Sequence, residues 1–136
     1  MGNAKGTRRE RELRTKLDEY GWTIMRAPSS GGGSTDDLPD IFAGDGERRI
    51  WAIEVKTSKP QNAIYLSADE VAALERFAEG FHPVVRPVVA VRWDRDTTWY
   101  LRNPRSMYRT DSGSRRARHE TCRGSWQRLC DIAESE

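Results

Sequence analysis

Three side chains in the first half of the sequence have the types and spacing that metal-assisted chemistry requires. Asp40 follows a proline, Glu54 comes fourteen residues later, and Lys56 lies two residues beyond Glu54. Successive side chains of a β-strand point to opposite faces, so Glu54 and Lys56 would share one face of a strand. The sequence therefore predicts a carboxylate and an amine on the same polar surface.

A hairpin is expected to bring the two carboxylates together. The Gly-Asp-Gly sequence at 44–46 is a strong hairpin signal, and it would fold the strand of Asp40 against the strand of Glu54. Carboxylates, a backbone carbonyl and water form the oxygen shell that Mg²⁺ prefers. Such an ion can activate water and polarise a phosphoryl oxygen, and Lys56 would orient that water or stabilise the charged transition state. The alternative is structural: Glu54 and Lys56 form an exposed ion pair, and Asp40 caps a turn.

Hydrophobic periodicity predicts the elements that would hold these residues. Residues 5–20 have the pattern of an amphipathic helix, and Ser67 and Glu70 form a capping box for a second helix that ends near Gly80. The order of helices and strands predicts an α/β domain with a mixed sheet flanked by helices. The predicted strands cover residues 22–26, 40–43, 50–57, 84–93 and 97–101, and a weak closing helix covers residues 126–133.

Two segments lack a periodic pattern. Residues 27–39 are rich in Gly, Ser and Asp, which predicts a flexible loop. Residues 102–124 are rich in arginine and are predicted to be mostly irregular. They form either a flexible segment that contacts phosphates or a solvated loop.

Positive charge is concentrated in the second half of the chain, although the net charge is only +2. Residues 1–85 hold 12 Lys and Arg against 14 Asp and Glu, whereas residues 86–128 hold 11 Arg against 4 acidic residues. A local surplus of cations is what phosphate contact requires, because neutralised phosphates release their counterions. A solvated arginine-rich surface is the alternative.

Length and composition restrict the class of protein. With 136 residues, the chain is expected to form a single domain with one hydrophobic core. It has no apolar stretch of membrane length and no apolar segment behind its basic N-terminus, so a cytoplasmic location without a membrane partner is expected. Cys122 and Cys130 have only His119 nearby, which is too few ligands for structural zinc. Free thiols are expected, and a disulfide or a metal role is the alternative.

The order of the motifs resembles a known family, the archaeal Holliday junction resolvases of the PD-(D/E)xK nuclease superfamily. The resemblance extends from Lys5 to about Phe81, a little over half of the chain. It implies a restriction-endonuclease-like fold, with a mixed central β-sheet flanked by α-helices, in a single nuclease domain over residues 1–136. The matching motifs are Lys5-Gly6, Glu10-Arg11-Glu12-Leu13, Gly21-Trp22, Arg26, the Ser/Gly loop, Leu38-Pro39-Asp40, Ile53-Glu54-Val55-Lys56 and Ile64-Tyr65-Leu66.

The resemblance also implies an activity and its partners. The expected enzyme is an endodeoxyribonuclease that resolves four-way DNA junctions by paired symmetric nicks in recombination or repair. It would act as a homodimer whose two active sites cut opposed strands. Each site would use Mg²⁺, for which Mn²⁺ is expected to substitute, held by residues such as Asp40 and Glu54. No small-molecule cofactor is expected.

Individual roles follow from the matching motifs. Glu10 corresponds to the family's acidic residue on the first helix, a direct or water-mediated metal ligand, and Glu12 competes with it in a run of charges. Ser30 resembles a loop serine beside the scissile phosphate, with Ser29 and Ser34 as alternatives. The expected catalytic residues are Glu10, Ser30, Asp40, Glu54 and Lys56, the metal ligands are Glu10, Asp40 and Glu54, and the DNA-binding residues are Lys5, Arg11, Arg26, Arg115 and Arg116, the last two from the arginine cluster alone.

Two other functions compete with this expectation. A restriction or repair nuclease of the same superfamily would act on duplex DNA, but base-specific cutting needs side chains that read base edges, and a short chain has little room for them. A noncatalytic junction-binding module would bind without cleaving. Many arginines without a helix-turn-helix or finger favour recognition of DNA shape, and a two-fold dimer suits a nearly two-fold junction. Candidate dimer residues are Leu74, Phe77 and Phe81, with a place in the core as the alternative.

Overall fold

The structure is a computed structural model, and it describes residues 4–26 and 38–134. The helices in this part of the chain are α1 (Ala4–Glu19), α2 (Ala68–Glu79), α3 (His119–Ser125) and α4 (Leu129–Glu134), and Pro104–Ser106 form a 3-10 turn. The strands are β1 (Thr23–Arg26), β2 (Ile41–Gly44), β3 (Ile50–Ser58), β4 (Ile64–Leu66), β5 (Val85–Trp93), β6 (Tyr100–Arg102), β7 (Tyr108–Arg109), β8 (Arg115–Ala117) and β9 (Gln127–Arg128).

Six of these strands form one mixed sheet in the order β1-β2-β3-β5-β6-β9. The central pair, β3 and β5, is parallel, and its outer neighbours pair antiparallel. A separate antiparallel sheet of three strands has the order β4-β8-β7. The predicted α/β class with a mixed central sheet is therefore confirmed. Within the described ranges, no helix has both the length and the apolar composition needed to cross a membrane.

The helices α1 and α2 cover opposite faces of the large sheet. Because side chains alternate along β3, Ile53 packs with Leu13 and Leu17 of α1, whereas Ala52 packs with Leu74 of α2. Fully burying a large apolar side chain contributes roughly 1.5–3 kcal/mol, so the two clusters fix β3 from both sides. The strand that carries Glu54 and Lys56 is thus the rigid centre of the molecule.

Two local signals in the sequence are confirmed by the backbone. Ser67 and Glu70 make the reciprocal hydrogen bonds of a capping box, and α2 ends at Gly80. At the turn between β2 and β3, Gly46 has φ +82°, a conformation that favours glycine. The side chain of Asp45 accepts hydrogen bonds from three consecutive backbone N–H groups in residues 47–49. These contacts set the hairpin that brings β2 beside β3.

The prediction that residues 102–124 are mostly irregular is wrong. The 3-10 turn, β7, β8 and most of α3 lie within this segment. Its strands are only two or three residues long and arginine-rich, so they show no hydrophobic alternation, and buried Met107, Ala117 and Cys122 attach them to the core. Flexibility of the segment stays a prediction.

One strand and one helix in the C-terminal half begin later in the sequence than predicted. The strand predicted at 97–101 begins only at Tyr100, because Asp96 accepts a hydrogen bond from the Thr98 N–H and holds a turn. The closing helix predicted at 126–133 begins at Leu129, because Gln127 and Arg128 pair with β6 instead. Backbone pairing at the edge of the sheet therefore determines where α4 begins.

Cys122 and Cys130 are free thiols, as predicted.

Candidate active site

Asp40 and Glu54, named here the carboxylate pair, lie side by side where the β2–β3 pairing ends. Ile41 is opposite Ile53, so Asp40 lies just beyond the ladder, and its Oδ2 accepts the backbone N–H of Val55 at 2.8 Å. This bond satisfies a strand N–H and anchors the carboxylate against β3. Val55 packs toward the α1 face, which places Glu54 on the opposite face, as the alternation predicted.

The carboxylate pair is electrostatically strained in the absence of a cation. Burial, and then the charge of Asp40, raises the pKa of Glu54 to about 8. Burial also raises the pKa of Asp40, although the Val55 N–H opposes this shift. Within the described part of the chain, no hydrogen bond or ion pair reaches the side chain of Glu54. The charge of Lys56 offsets these shifts only in part, so two largely buried carboxyl groups form a place where a further cation is favourable.

The donor set fits magnesium. The described residues contain no compact group of three or more Asp, Glu, His or Cys side chains that could by itself hold a metal ion. Mg²⁺ commonly binds through one or two carboxylates and keeps several waters or substrate phosphate oxygens as its other ligands. The hard oxygen donors of Asp40 and Glu54 are sufficient for such a site.

The structure separates the two glutamates that compete on α1. The charge of Glu10 contributes to the raised pKa of both members of the carboxylate pair. Glu12 instead pairs with Arg9 at 3.2 Å and with Arg92 at 3.5 Å. Arg92 is only 6% exposed, so Glu12 balances a buried charge between α1 and β5. The charge of Glu10 therefore acts on the carboxylate pair, whereas Glu12 forms ion pairs with Arg9 and Arg92.

Lys56 is held by a residue that the sequence identified only as a helix cap. Its Nζ lies 2.6 Å from Oε2 of Glu70, while Oε1 of Glu70 accepts the backbone N–H of Ser67 at 2.9 Å. Although burial opposes the shift, the hydrogen bond from Lys56 lowers the pKa of Glu70. One carboxylate thus caps α2 and positions the lysine. The S-x-x-E pattern revealed the cap, but nothing local in the sequence linked it to Lys56.

The predicted DNA-binding and loop residues are described only in part. Arg11 is exposed on α1. Arg115 donates from Nη1 to the carbonyl oxygen of Met107 at 2.9 Å, so it also braces β7. The Arg116 guanidinium lies 4.1 Å from the ring centroid of Tyr108. Ser30 and its alternatives Ser29 and Ser34 lie outside the described residues. Lys5 and Arg26 lie within the described backbone, but their side chains are not described.

Comparison with known proteins agrees with this arrangement. The family model of the archaeal Holliday junction resolvase (Hjc) matches residues 1–134. The chain is 49% identical over 78 residues to a protein of Archaeoglobus fulgidus, and 35% identical over 75 residues to one of Sulfolobus acidocaldarius. Both are named crossover junction endodeoxyribonuclease Hjc, and the alignments cover 57% and 55% of this chain. They span about half of each relative, 55% and 52% of its length.

A solved structure extends the similarity over nearly the whole chain. The Archaeoglobus fulgidus Hjc structure, titled a Holliday junction resolvase from an archaeal hyperthermophile, superimposes with a TM-score of 0.79 at 32% identity. The superposition covers 94% of this chain and 99% of that one. Together with the family model, which spans both the carboxylate pair and the arginine-rich segment, this similarity shows that the chain belongs to the archaeal Holliday junction resolvase family.

Proposed function

We propose that the protein is a magnesium-dependent endonuclease that resolves four-way DNA junctions as a homodimer, with the carboxylate pair as its metal site. Glu54 gives the strongest support for this proposal. It is a largely buried carboxylate beside Asp40, and no described side chain forms an ion pair or hydrogen bond with it. Lys56 is held on the same face of β3. Family membership and the names of the relatives support junction DNA as the substrate.

Each residue of the site has a defined part in the proposed reaction. Asp40 uses Oδ2 to bind the Val55 N–H, which leaves its second oxygen for a cation. Magnesium held there would supply Lewis acidity toward the scissile phosphate and its attacking water. Glu54 would provide the second carboxylate, and Glu10 would help to hold the ion, either directly or through water. Lys56, with its ammonium fixed by Glu70, donates a hydrogen bond that orients the water or stabilises the charge on the phosphate.

The test of this proposal is a substrate comparison. A four-way junction with each strand labelled in turn, and a linear duplex of the same sequence, are incubated with Mg²⁺ or EDTA. We expect nicks in the junction at symmetric positions of two opposed strands, no nicks with EDTA, and little cutting of the duplex. Equal cutting of both substrates would support a duplex nuclease instead, and tight binding without any cleavage would support a noncatalytic binding module.

The homodimer is proposed to form through an aromatic surface at the C-terminal end of α2. The rings of Phe42, Phe77 and Phe81 lie 5.3–5.8 Å apart in pairs. Phe81 is 48% exposed, and nearby Val84 is 57% exposed. A large exposed apolar surface is favourable only if another apolar surface covers it. Of the three sequence candidates, Leu74 is a core residue with 3% exposure, Phe77 is partly buried against the core, and Phe81 is the exposed member of this surface.

Phe81→Glu is expected to convert the dimer into a folded monomer, because it places a charge at the centre of the apolar contact. Light scattering coupled to size-exclusion chromatography measures the mass, and circular dichroism checks the fold. The control is Tyr20→Glu at the exposed end of α1, which should remain dimeric. A Phe81→Glu protein with the mass of the wild type would contradict this interface.

Glu70→Gln is expected to reduce junction cleavage by about tenfold while junction affinity stays constant, because Lys56 loses the charge that fixes it. Single-turnover cleavage and a binding titration measure the two effects separately. Ser67→Ala is the matched control: it removes a capping hydroxyl at a cost of about 1 kcal/mol of stability but leaves the Lys56–Glu70 pair intact. If both variants lost cleavage equally, Glu70 would be only a cap.

A further inference from the structure

Three side chains form a straight row across the small sheet. Tyr65 on β4 is directly opposite Arg116 on β8, and Arg116 is directly opposite Tyr108 on β7. Directly opposed residues of neighbouring antiparallel strands share a face and lie about 5 Å apart. The three side chains therefore form one continuous strip, named here the Tyr-Arg-Tyr row, with a length of roughly 10 Å between its outer strands.

The Tyr-Arg-Tyr row faces outward. Tyr65 is 52% exposed and Tyr108 is 58% exposed, whereas Leu66 and Ala117 on the same strands are buried in the core. The guanidinium of Arg116 lies over the Tyr108 ring, 4.1 Å from its centroid, which is a cation–π contact. Among the described residues, neither tyrosine ring pairs with another aromatic ring. Two large aromatic side chains are thus more than half exposed on paired strands, and a cation lies over one of them.

The surroundings of the row indicate an anionic ligand with flat rings. Residues 105–118 contain five arginines and one aspartate. Exposed aromatic faces with interleaved arginines on a sheet stack nucleobases, while the cations contact the phosphates. The core explains neither the exposed rings of Tyr65 and Tyr108 nor the cation of Arg116 between them.

The row is connected to the proposed metal site through β4 and α2. Strand β4 contacts β3 and leads directly into α2, whose capping residue Glu70 holds Lys56 at 2.6 Å. This connection makes a second DNA contact at the row compatible with cleavage at the carboxylate pair.

We propose that the Tyr-Arg-Tyr row stacks against an unstacked nucleobase at the branch of the DNA substrate and so selects branched over linear DNA. Inside a linear duplex, both faces of each base pair are already covered by neighbouring pairs. At a branch, stacking is interrupted, and an aromatic platform can cover the exposed face. The inference rests on the proposed function for its substrate, but its contact is distinct from the metal site and from the backbone contacts of arginine.

The experiment measures binding in EDTA, so that no cleavage is needed. The variants are Tyr65→Ala, Tyr108→Ala and the double variant, with Tyr65→Phe and Tyr108→Phe as conservative partners and Tyr20→Ala as the control at another exposed tyrosine. The probes are a four-way junction with 2-aminopurine beside the branch and a linear duplex with 2-aminopurine at the same position of the same sequence. Circular dichroism checks the fold, and chromatography with light scattering checks the mass.

The double variant is expected to bind the junction roughly tenfold more weakly, with duplex binding within about twofold of the wild type. The phenylalanine variants and Tyr20→Ala should bind like the wild type, and the wild type should change the 2-aminopurine fluorescence of the junction alone. Equal weakening on both DNAs, no weakening, or conversion of the double variant to a monomer would overturn the inference. A wild type that binds junctions selectively but never cuts them would instead contradict the proposed function.

Discussion

Asp40→Asn and Glu54→Gln are each expected to reduce junction cleavage about a thousandfold, because each removes one of the two carboxylates proposed to hold the metal ion. Junction binding should persist or become tighter, since each change removes a negative charge that faces the phosphates. Single-turnover cleavage with Mg²⁺ and a binding titration with EDTA measure the two quantities on the same preparation. Cleavage within tenfold of the wild type in either variant would contradict the assignment.

The two glutamates of α1 provide an internal control for this experiment. Glu10→Gln is expected to slow cleavage strongly, because the charge of Glu10 acts on the carboxylate pair. Glu12→Gln is expected to lower the stability of the fold by about 1–3 kcal/mol, because Arg92 then loses its described counter-charge in the interior. At a temperature where both variants are folded, Glu12→Gln should cut at nearly the rate of the wild type. The opposite ranking would reassign the metal ligand to Glu12.

Without metal, the stability of the protein is expected to fall as the pH rises from about 5 to about 8. The pKa of Glu54 is raised from 4.5 to about 8 in the folded state, so over this range the folded state holds a proton that the unfolded state has lost. The free energy of unfolding therefore decreases with pH, by a total of about 3–5 kcal/mol above pH 8. The raised pKa of Asp40 contributes with the same sign. Magnesium should reverse the loss at pH 8, because it binds the ionised pair.

The Glu54→Gln variant distinguishes the titration of Glu54 from the effect of the other ionisable groups on stability. In EDTA at pH 8, the variant is expected to melt about 10 °C higher than the wild type, because an amide carries no charge into the site. Added Mg²⁺ should raise the melting temperature of the wild type and leave that of the variant nearly unchanged. Thermal unfolding followed by circular dichroism between pH 5 and pH 9 measures both effects. Equal pH profiles in EDTA would show that Glu54 is not the strained group.

The sequence predicted the central part of the fold well because its signals there are local. The spacing of Leu13 and Leu17 indicates a helix, Ser67 and Glu70 fix the start of α2, and the glycine turn at 44–46 fixes the hairpin. These features depend on neighbours in the sequence. The alternation that places Glu54 and Lys56 on one face follows from strand geometry alone.

The parts that were not predicted depend on contacts between distant residues. β4, β7 and β8 are too short for a hydrophobic period, and only their pairing aligns Tyr65 with Arg116 and Tyr108. The pairing of Lys56 with Glu70 crosses from β3 to α2, so the capping pattern could not reveal it. The ion pair of Glu12 with Arg92 likewise joins α1 to β5, two elements that are distant in the sequence.

A supercoiled plasmid that extrudes an inverted repeat presents a four-way junction to the protein within a single DNA molecule. With Mg²⁺, a dimer that cuts two opposed strands during one encounter should convert the plasmid to linear DNA, with both cuts at symmetric positions flanking the branch. EDTA, Asp40→Asn, or a plasmid without the repeat should leave the DNA intact. Absence of cleavage with every divalent metal, or equal nicking of the plasmid without the repeat, would contradict the account.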